Sequence, residues 1–151
     1  MKRIGLLILA GVVMAGSIGA YLFFKPHRDV QAKIAFAELK VSELVNEFTV
    51  DAGKANAKYL QSDGNSKVLI VEGRVKKISE NQNNEKVIVL KDERAKVGVS
   101  ATFTKATTAN TQSIKVGDIV KIKGATTAGN RYDADLELYK NAILVQCDIV
   151  K

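Results

Sequence analysis

Few residues in this chain are of the kind that carry chemistry, and they are scattered. Asp133, Asp135 and Glu137 alternate along one short segment, with Lys140 close behind. On a strand that spacing would put three carboxylates on one face, where they could together hold a hard cation. No calcium-loop pattern surrounds them, so a solvated acidic face is the simpler expectation, and no metal or cofactor is expected. The chain has one histidine, His27, and one cysteine, Cys147. A Ser-His or Cys-His pair therefore cannot form in the body of the chain. Cys147 can make neither an internal disulfide nor a cysteine zinc site, and its apolar alternating surroundings mark a small buried hydrophobe. Catalysis is not expected.

What remains is a binding set: Lys121 and Lys123, then Arg131 and Tyr132 a few residues later. Cations at that spacing would suit an anionic or polar ligand, and a tyrosine ring would let it stack. The same lysines would equally suit the polar outer face of barrel strands, where they discourage edge pairing.

The elements that must position these residues are mostly strands. Lys67–Ser79 (KVLIVEGRVKKIS) is a long β-type segment with Gly73 where the chain must bend. Lys86–Lys91 and Val97–Phe103 are two shorter strands, Gly98 marking a bulge site in the second. Thr104–Lys115, rich in Thr, Ala and Asn, reads as an irregular loop or a single turn. Val116–Gly124 enters through Gly117-Asp118 and alternates Ile119, Val120 and Ile122 with Lys121 and Lys123. Ala125–Asp135 reads as a loop. Leu136–Tyr139 and Ala142–Val150 then complete the sheet, the latter alternating Ile143, Val145, Cys147 and Ile149. Ahead of the strands, Val41, Leu44, Val45 and Phe48 repeat at helical spacing. Asp51 is placed to cap a second helix, Ala52–Leu60, whose Ala52, Ala55 and Tyr59 share a face. Residues 61–66, with Asp63-Gly64, form a turn. The pattern is mainly β: a small five-stranded barrel of the OB type, preceded by two short helices that plug one open end.

Such a barrel offers a groove across its middle strands. Here those strands supply Phe103 as their only ring, with Tyr132 and Tyr139 in and after the last long loop, and Lys76, Lys77 and Lys91 as further charge. The net charge of +7 overstates the barrel, because Lys2, Arg3, Lys25 and Arg28 flank an apolar N-terminal run with only Asp29 against them. About +4 is left for the rest, a weak footprint for nucleic acid. A non-enzymatic binding module for another envelope protein, a peptide or a glycan is the first expectation. A single-stranded nucleic-acid-binding domain is the alternative.

The apolar run itself, residues 4–24, holds no charge. As a helix it would span roughly 31 Å, about the thickness of the hydrocarbon core. Tyr21, Phe23 and Phe24 lie where rings favour headgroups, and Lys25, Pro26 and Arg28 stop it. An uncleaved anchor in the inner membrane is expected over a cleaved signal peptide, whose apolar region is shorter. Without a cysteine near its N-terminus the chain is not expected to be a lipoprotein. The short basic tail would stay inside, which puts the barrel outside the cytoplasm. Gly11, Ala15 and Gly19 form a small-residue row along which two anchors could pack. The organisation is then an anchor (1–25), a tether (26–40) and an OB-like domain (41–151).

Taken together, ELVNEF, then ANAKYL with Tyr59, V-x-G-x-V around Gly73, and GDIVKIKG from Gly117 to Gly124 resemble the tRNA_anti-like family of OB-fold proteins. The likeness covers roughly Val41–Ile149, and the KPHRD tether (Lys25–Asp29) after an anchor is similar to bacterial members. It implies the OB fold and brings neither a settled activity nor catalytic residues. Members often carry a cysteine soon after the strand that ends at Gly124. This chain reads Gly124-Ala125-Thr126-Thr127, so no paired-cysteine role for Cys147 is implied.

Overall fold

The computed structural model describes residues 29–62 and 66–150. The expected span (4–24), the row Gly11, Ala15 and Gly19, His27 and the Asp63-Gly64 turn lie outside them. Among the described residues no helix is long and apolar enough to cross a membrane.

In chain order the elements are β1 (Ala37–Lys40), α1 (Val41–Val50), α2 (Ala52–Tyr59), β2 (Val68–Glu80), β3 (Lys86–Leu90) and β4 (Val99–Phe103). A 3-10 turn (Thr108–Thr111) follows, then β5 (Ile119–Ala128), β6 (Arg131–Asp133), β7 (Leu138–Lys140) and β8 (Ala142–Val150). Strands β2, β3, β4, β8 and β5 pair in that order, and β2 pairs again with β5 to close the ring. The β4–β8 pair is parallel, while the other pairs in the ring are antiparallel. This is the five-stranded barrel that the strand pattern predicts, and its pairing is mixed. The loop expected at 104–115 holds one 3-10 turn.

Strand β2 is long because it serves two parts of the ring. Val68–Arg74 pairs with β5, and Val75–Glu80 pairs with β3. Gly73 stands just before that handover, and a Cβ there would come within 2.4 Å of the Val41 side chain. The bend thus lies where the start of α1 packs onto the strand. β1 adds a short parallel strand against Leu69–Glu72, in a stretch where Ala37 and Leu39 pack on the core and the half-exposed Phe36 meets the buried Tyr59 ring edge-on.

The helices form for local reasons and stay for tertiary ones. The Glu43 carboxylate accepts the Lys40 backbone N–H at 2.7 Å and starts α1. Asp51 caps α2 as expected, accepting the Lys54 N–H at 3.0 Å. α1 buries Val41, Leu44 and Phe48, and α2 buries Ala55 and Tyr59, whereas Ala52 is exposed. Those side chains join Val71, Leu90, Phe103 and Leu144 in one continuous core, so the helix pair closes one end of the barrel. Across the helices the Tyr59 hydroxyl donates to Glu47 at 3.0 Å, and Lys58 reaches the same carboxylate. The Lys58 hydrogen bond holds the Glu47 carboxyl below the usual carboxylate range.

Three sequence expectations need correction. The strand expected from Val116 starts at Ile119, because Gly117 turns with φ of 99° and the Asp118 carboxylate accepts the Lys115 N–H. That strand then runs on to Ala128, through residues expected to be loop. Leu136–Tyr139 does not complete the barrel sheet. Leu138–Lys140 pairs instead with Arg131–Asp133 as a separate ribbon, since β8 already fills the place between β4 and β5. Finally, the face expected from Ile143, Val145, Cys147 and Ile149 changes phase along the strand. Ala142, Leu144 and Cys147 are buried and Ile143 is exposed. Gln146, at φ of 52°, adds a residue opposite Gly124, so the register jumps between Lys123↔Asp148 and Ala125↔Val145. A bulge of one residue flips every side chain before it to the other face.

One core hydroxyl is out of place. Thr126 is fully buried and its Oγ1 has no hydrogen-bond partner. An orphaned buried hydroxyl costs about 1–3 kcal/mol, and valine has the same shape without it. Thr126→Val is expected to raise unfolding stability by about 1 kcal/mol, seen as a higher urea midpoint at unchanged slope. A lower midpoint would mean that the hydroxyl is satisfied.

Candidate ligand-binding site

The β5–β8 connection builds the most distinctive surface. Asp133 accepts the Leu136 N–H at 3.3 Å and Glu137 takes φ of 51°, which together reverse the chain. Arg131 then lies opposite Lys140, Tyr132 opposite Tyr139, and Asp133 opposite Leu138. Successive residues of a strand point to opposite faces, so the ribbon has two unlike sides.

One side carries the tyrosines. Their ring centroids are 4.9 Å apart, tilted by 54°, and both residues are about half exposed. The Lys96 ammonium, from the β3–β4 connection, sits 5.4 Å from the Tyr139 ring, near enough for a cation–π contact. The sequence allows these rings a minor platform together with Arg131; the structure brings the two rings together and puts Arg131 on the other side. The outer face of β3 and β4 adds no ring to this platform. It presents Val87, Val89, Ser100 and Thr102 between buried neighbours, and Phe103 is wholly inside the barrel.

The other side carries Arg131 and Lys140 and borders a cleft of about 430 Å³ between the ribbon and α2. Lys140 pairs with Asp133, whose carboxyl is held below its usual range by that contact. Among the described residues the Arg131 side chain has no hydrogen-bond or ion-pair partner. Asp133, Asp135 and Glu137 do not share a strand face, because the chain turns between Asp133 and Leu138.

The four residues singled out in the sequence therefore do not meet. Lys121 faces Glu38 and Glu72, and the Glu38 carboxylate raises its pKa. Lys123 donates to the Gln31 carbonyl at 2.7 Å. Gln31 in turn donates to the Gln146 carbonyl, and its neighbour Val30 is buried with Val68 and Ala125. Lys123 thus holds the segment before β1 to the barrel, and Lys121 holds β1 itself. From Lys123 to the end of β5 is five residues, roughly 17 Å of strand, before Arg131 is reached. Arg131 and Tyr132 then point to opposite sides of the ribbon. Sequence reasoning missed the cleft and its Asn130, which no local pattern marks, since α2 and the ribbon base are far apart in the chain.

Comparisons with known proteins agree with the architecture. A crystal structure of a Klebsiella pneumoniae protein described as a "putative nucleic acid-binding lipoprotein" matches with a TM-score of 0.55 at 18% identity. The match covers 83% of this chain and 99% of that one. No curated protein matches the sequence. The family model described as tRNA_anti-like matches residues 1–136, and with the barrel in hand the chain belongs to the tRNA_anti-like family of OB-fold proteins.

Proposed function

We propose that this chain is a non-enzymatic binding module, held to a membrane by residues 4–24, with its barrel outside the cytoplasm. Its contact surface is the tyrosine side of the ribbon, and its ligand is ring-bearing, an envelope glycan before any other. The observation that carries this reading is the half-exposed Tyr132–Tyr139 pair beside Lys96. It occupies the last long connection of an OB barrel, a connection that in this fold meets oligonucleotides and oligosaccharides. A sugar ring stacks on such a pair without needing compensating cations. Asp135 and Glu137 lie exposed in the turn of the same ribbon and would repel a phosphate backbone.

Against an enzyme stands the chemistry of the two most reactive side-chain types. The one histidine, His27, lies beside the expected anchor. The one thiol, Cys147, is enclosed in the barrel, where burial pushes its pKa up, and a protonated thiol is a poor nucleophile.

Single-stranded nucleic acid is the second reading, favoured by the description of the Klebsiella protein and by the same stacking pair. That protein's lipid attachment is not carried over, because the only cysteine here is Cys147 in β8. The test is titration of the full-length chain in detergent with chitin-type or mixed-linkage oligosaccharides and with dT oligonucleotides, at low and high salt. Sugar binding that is insensitive to salt and at least 10-fold weaker in Tyr132→Ala is expected. Oligonucleotide binding that falls steeply with salt would instead establish the second reading.

A further inference from the structure

We infer that the cleft between α2 and the ribbon is a second binding site, on the side of the ribbon away from the tyrosines, for a chain-terminal carboxylate with an amide N–H beside it. The inference is independent of what the tyrosines bind. Three groups on the cleft wall define the ligand.

The first is an unmet acceptor. Asn130 is 8% exposed, and its Oδ1 has no hydrogen-bond partner. Its orientation is fixed by a chain of hydrogen bonds. The Thr49 hydroxyl donates its only proton to the Val45 carbonyl at 2.8 Å, so toward Asn130 it can only accept. Asn130 therefore turns Nδ2 to Thr49, at 3.0 Å, and leaves Oδ1 free. A buried amide oxygen without a donor is costly, and a ligand N–H would relieve it.

The second group is Arg131, whose guanidinium has no partner among the described residues. Its fork of N–H donors matches a carboxylate bidentately. Two of the other polar side chains nearby are already engaged. Asn141 accepts from the Gly98 N–H and donates to Ser100, and Lys140 is bound to Asp133. The third feature is apolar. Phe48, Leu60 and Ile143 border the same cleft, and its volume lies at the lower end of the range for small-ligand sites. Asn130 and Arg131 line the same cleft, so a ligand that meets both must carry an anion and an N–H donor, with an apolar group beside them. The end of a peptide has this arrangement: a carboxylate, the amide N–H of the same residue, and its side chain.

A protein C-terminus and a short cell-wall peptide present the same chemistry, the one ending in an L residue and the other in a D residue. The test uses the full-length chain in detergent with 15N-labelled asparagine, whose side-chain amide signals report on Asn130 and Asn56 at the cleft. Probes are acetyl-Ala-Ala-Leu and acetyl-Ala-Ala-D-Ala with free carboxylates, the same peptides as C-terminal amides, and acetyl-Ala-Ala-N-methyl-Leu. The expected result is saturable shifts of these signals with one of the free acids. Capping the carboxylate, methylating the amide or introducing Arg131→Ala should each weaken binding at least 10-fold, while Tyr132→Ala leaves it unchanged. Whichever free acid binds tells the two sources apart. Equal binding of capped and free peptides, no shift with either acid at millimolar concentration, or displacement of the bound acid by dT6 with equal loss in Tyr132→Ala would each overturn the assignment. Failure of sugar or oligonucleotide binding alone would reject the tyrosine reading and leave this one standing.

Discussion

Phe48→Ala is expected to be among the most damaging single changes in the described chain, lowering unfolding stability by about 4 kcal/mol. The ring is 3% exposed, with its centroid 5.8 Å from that of Tyr59. Gly129 leaves room for it on the other side, since a Cβ there would meet the ring at 2.1 Å. Phe48 thus ties α1 to α2 and both to the base of the ribbon. Truncating a buried phenylalanine loses its transfer free energy and leaves a cavity, together about 3–5 kcal/mol. Collapse into the space is hindered here because its walls belong to three different elements. Chemical denaturation followed by circular dichroism would measure the loss. A change below about 1 kcal/mol would mean that the helix pair is not docked on the barrel. The consequence extends to the proposed cleft site, since Phe48 also borders it. A helix pair loosened in this way would widen the cleft before the barrel itself unfolded.

The barrel was legible from the sequence because its signals are local. Thirteen residues of β2 in one run, the helical spacing of Val41, Leu44 and Phe48, and the Asp51 cap can each be read without knowing their partners. The failures have a common physical cause, which is that pairing in a closed ring is decided by non-local neighbours. Nothing within Leu136–Tyr139 says that the place beside β8 is already taken. The phase change in β8 likewise depends on a bulge set by its fit against Gly124, not by its own alternation.

The residues singled out for binding illustrate the same limit from another direction. Lys121 and Lys123 looked free because their partners are more than forty residues away, Glu38 and Glu72 for one and Gln31 for the other. A lysine on a barrel strand is read as available charge until the segment laid across it is known. Tyr132 and Tyr139 could be noted as rings in and after the last long loop, but the hairpin that brings them together was not legible, since Leu136–Tyr139 reads as one more strand of the barrel sheet. The orphaned Asn130 oxygen could not have been found this way. Its significance rests on where the Thr49 proton goes, a fact of packing between a helix and a loop.

Gly124→Ala is expected to cost about 2–3 kcal/mol, a large penalty for one methyl group. A Cβ at this position would lie 2.6 Å from the Cys147 sulfur and 3.2 Å from both Leu144 Cβ and the Val145 carbonyl oxygen. Ordinary overpacking costs about 1–3 kcal/mol, and here the neighbours sit on a bulged strand already committed to β4 and β5. Gly124 needs no unusual backbone angle, so the loss would come from contact alone. That makes it separable. Cys147→Ala removes the nearest atom, so the double variant should be less destabilised than the sum of the two singles by more than about 1 kcal/mol. Additive losses would place the clash on the backbone of β8 instead. The thiol supplies a second, independent reading of the same site. It is fully buried with its pKa pushed up, so in the native chain it should resist a thiol-specific reagent that labels it rapidly in denaturant. In Gly124→Ala the added methyl group displaces that sulfur, and labelling under native conditions should accelerate in proportion to the measured loss of stability. Acceleration without a stability change would mean that β8 opens locally while the rest of the barrel stays closed.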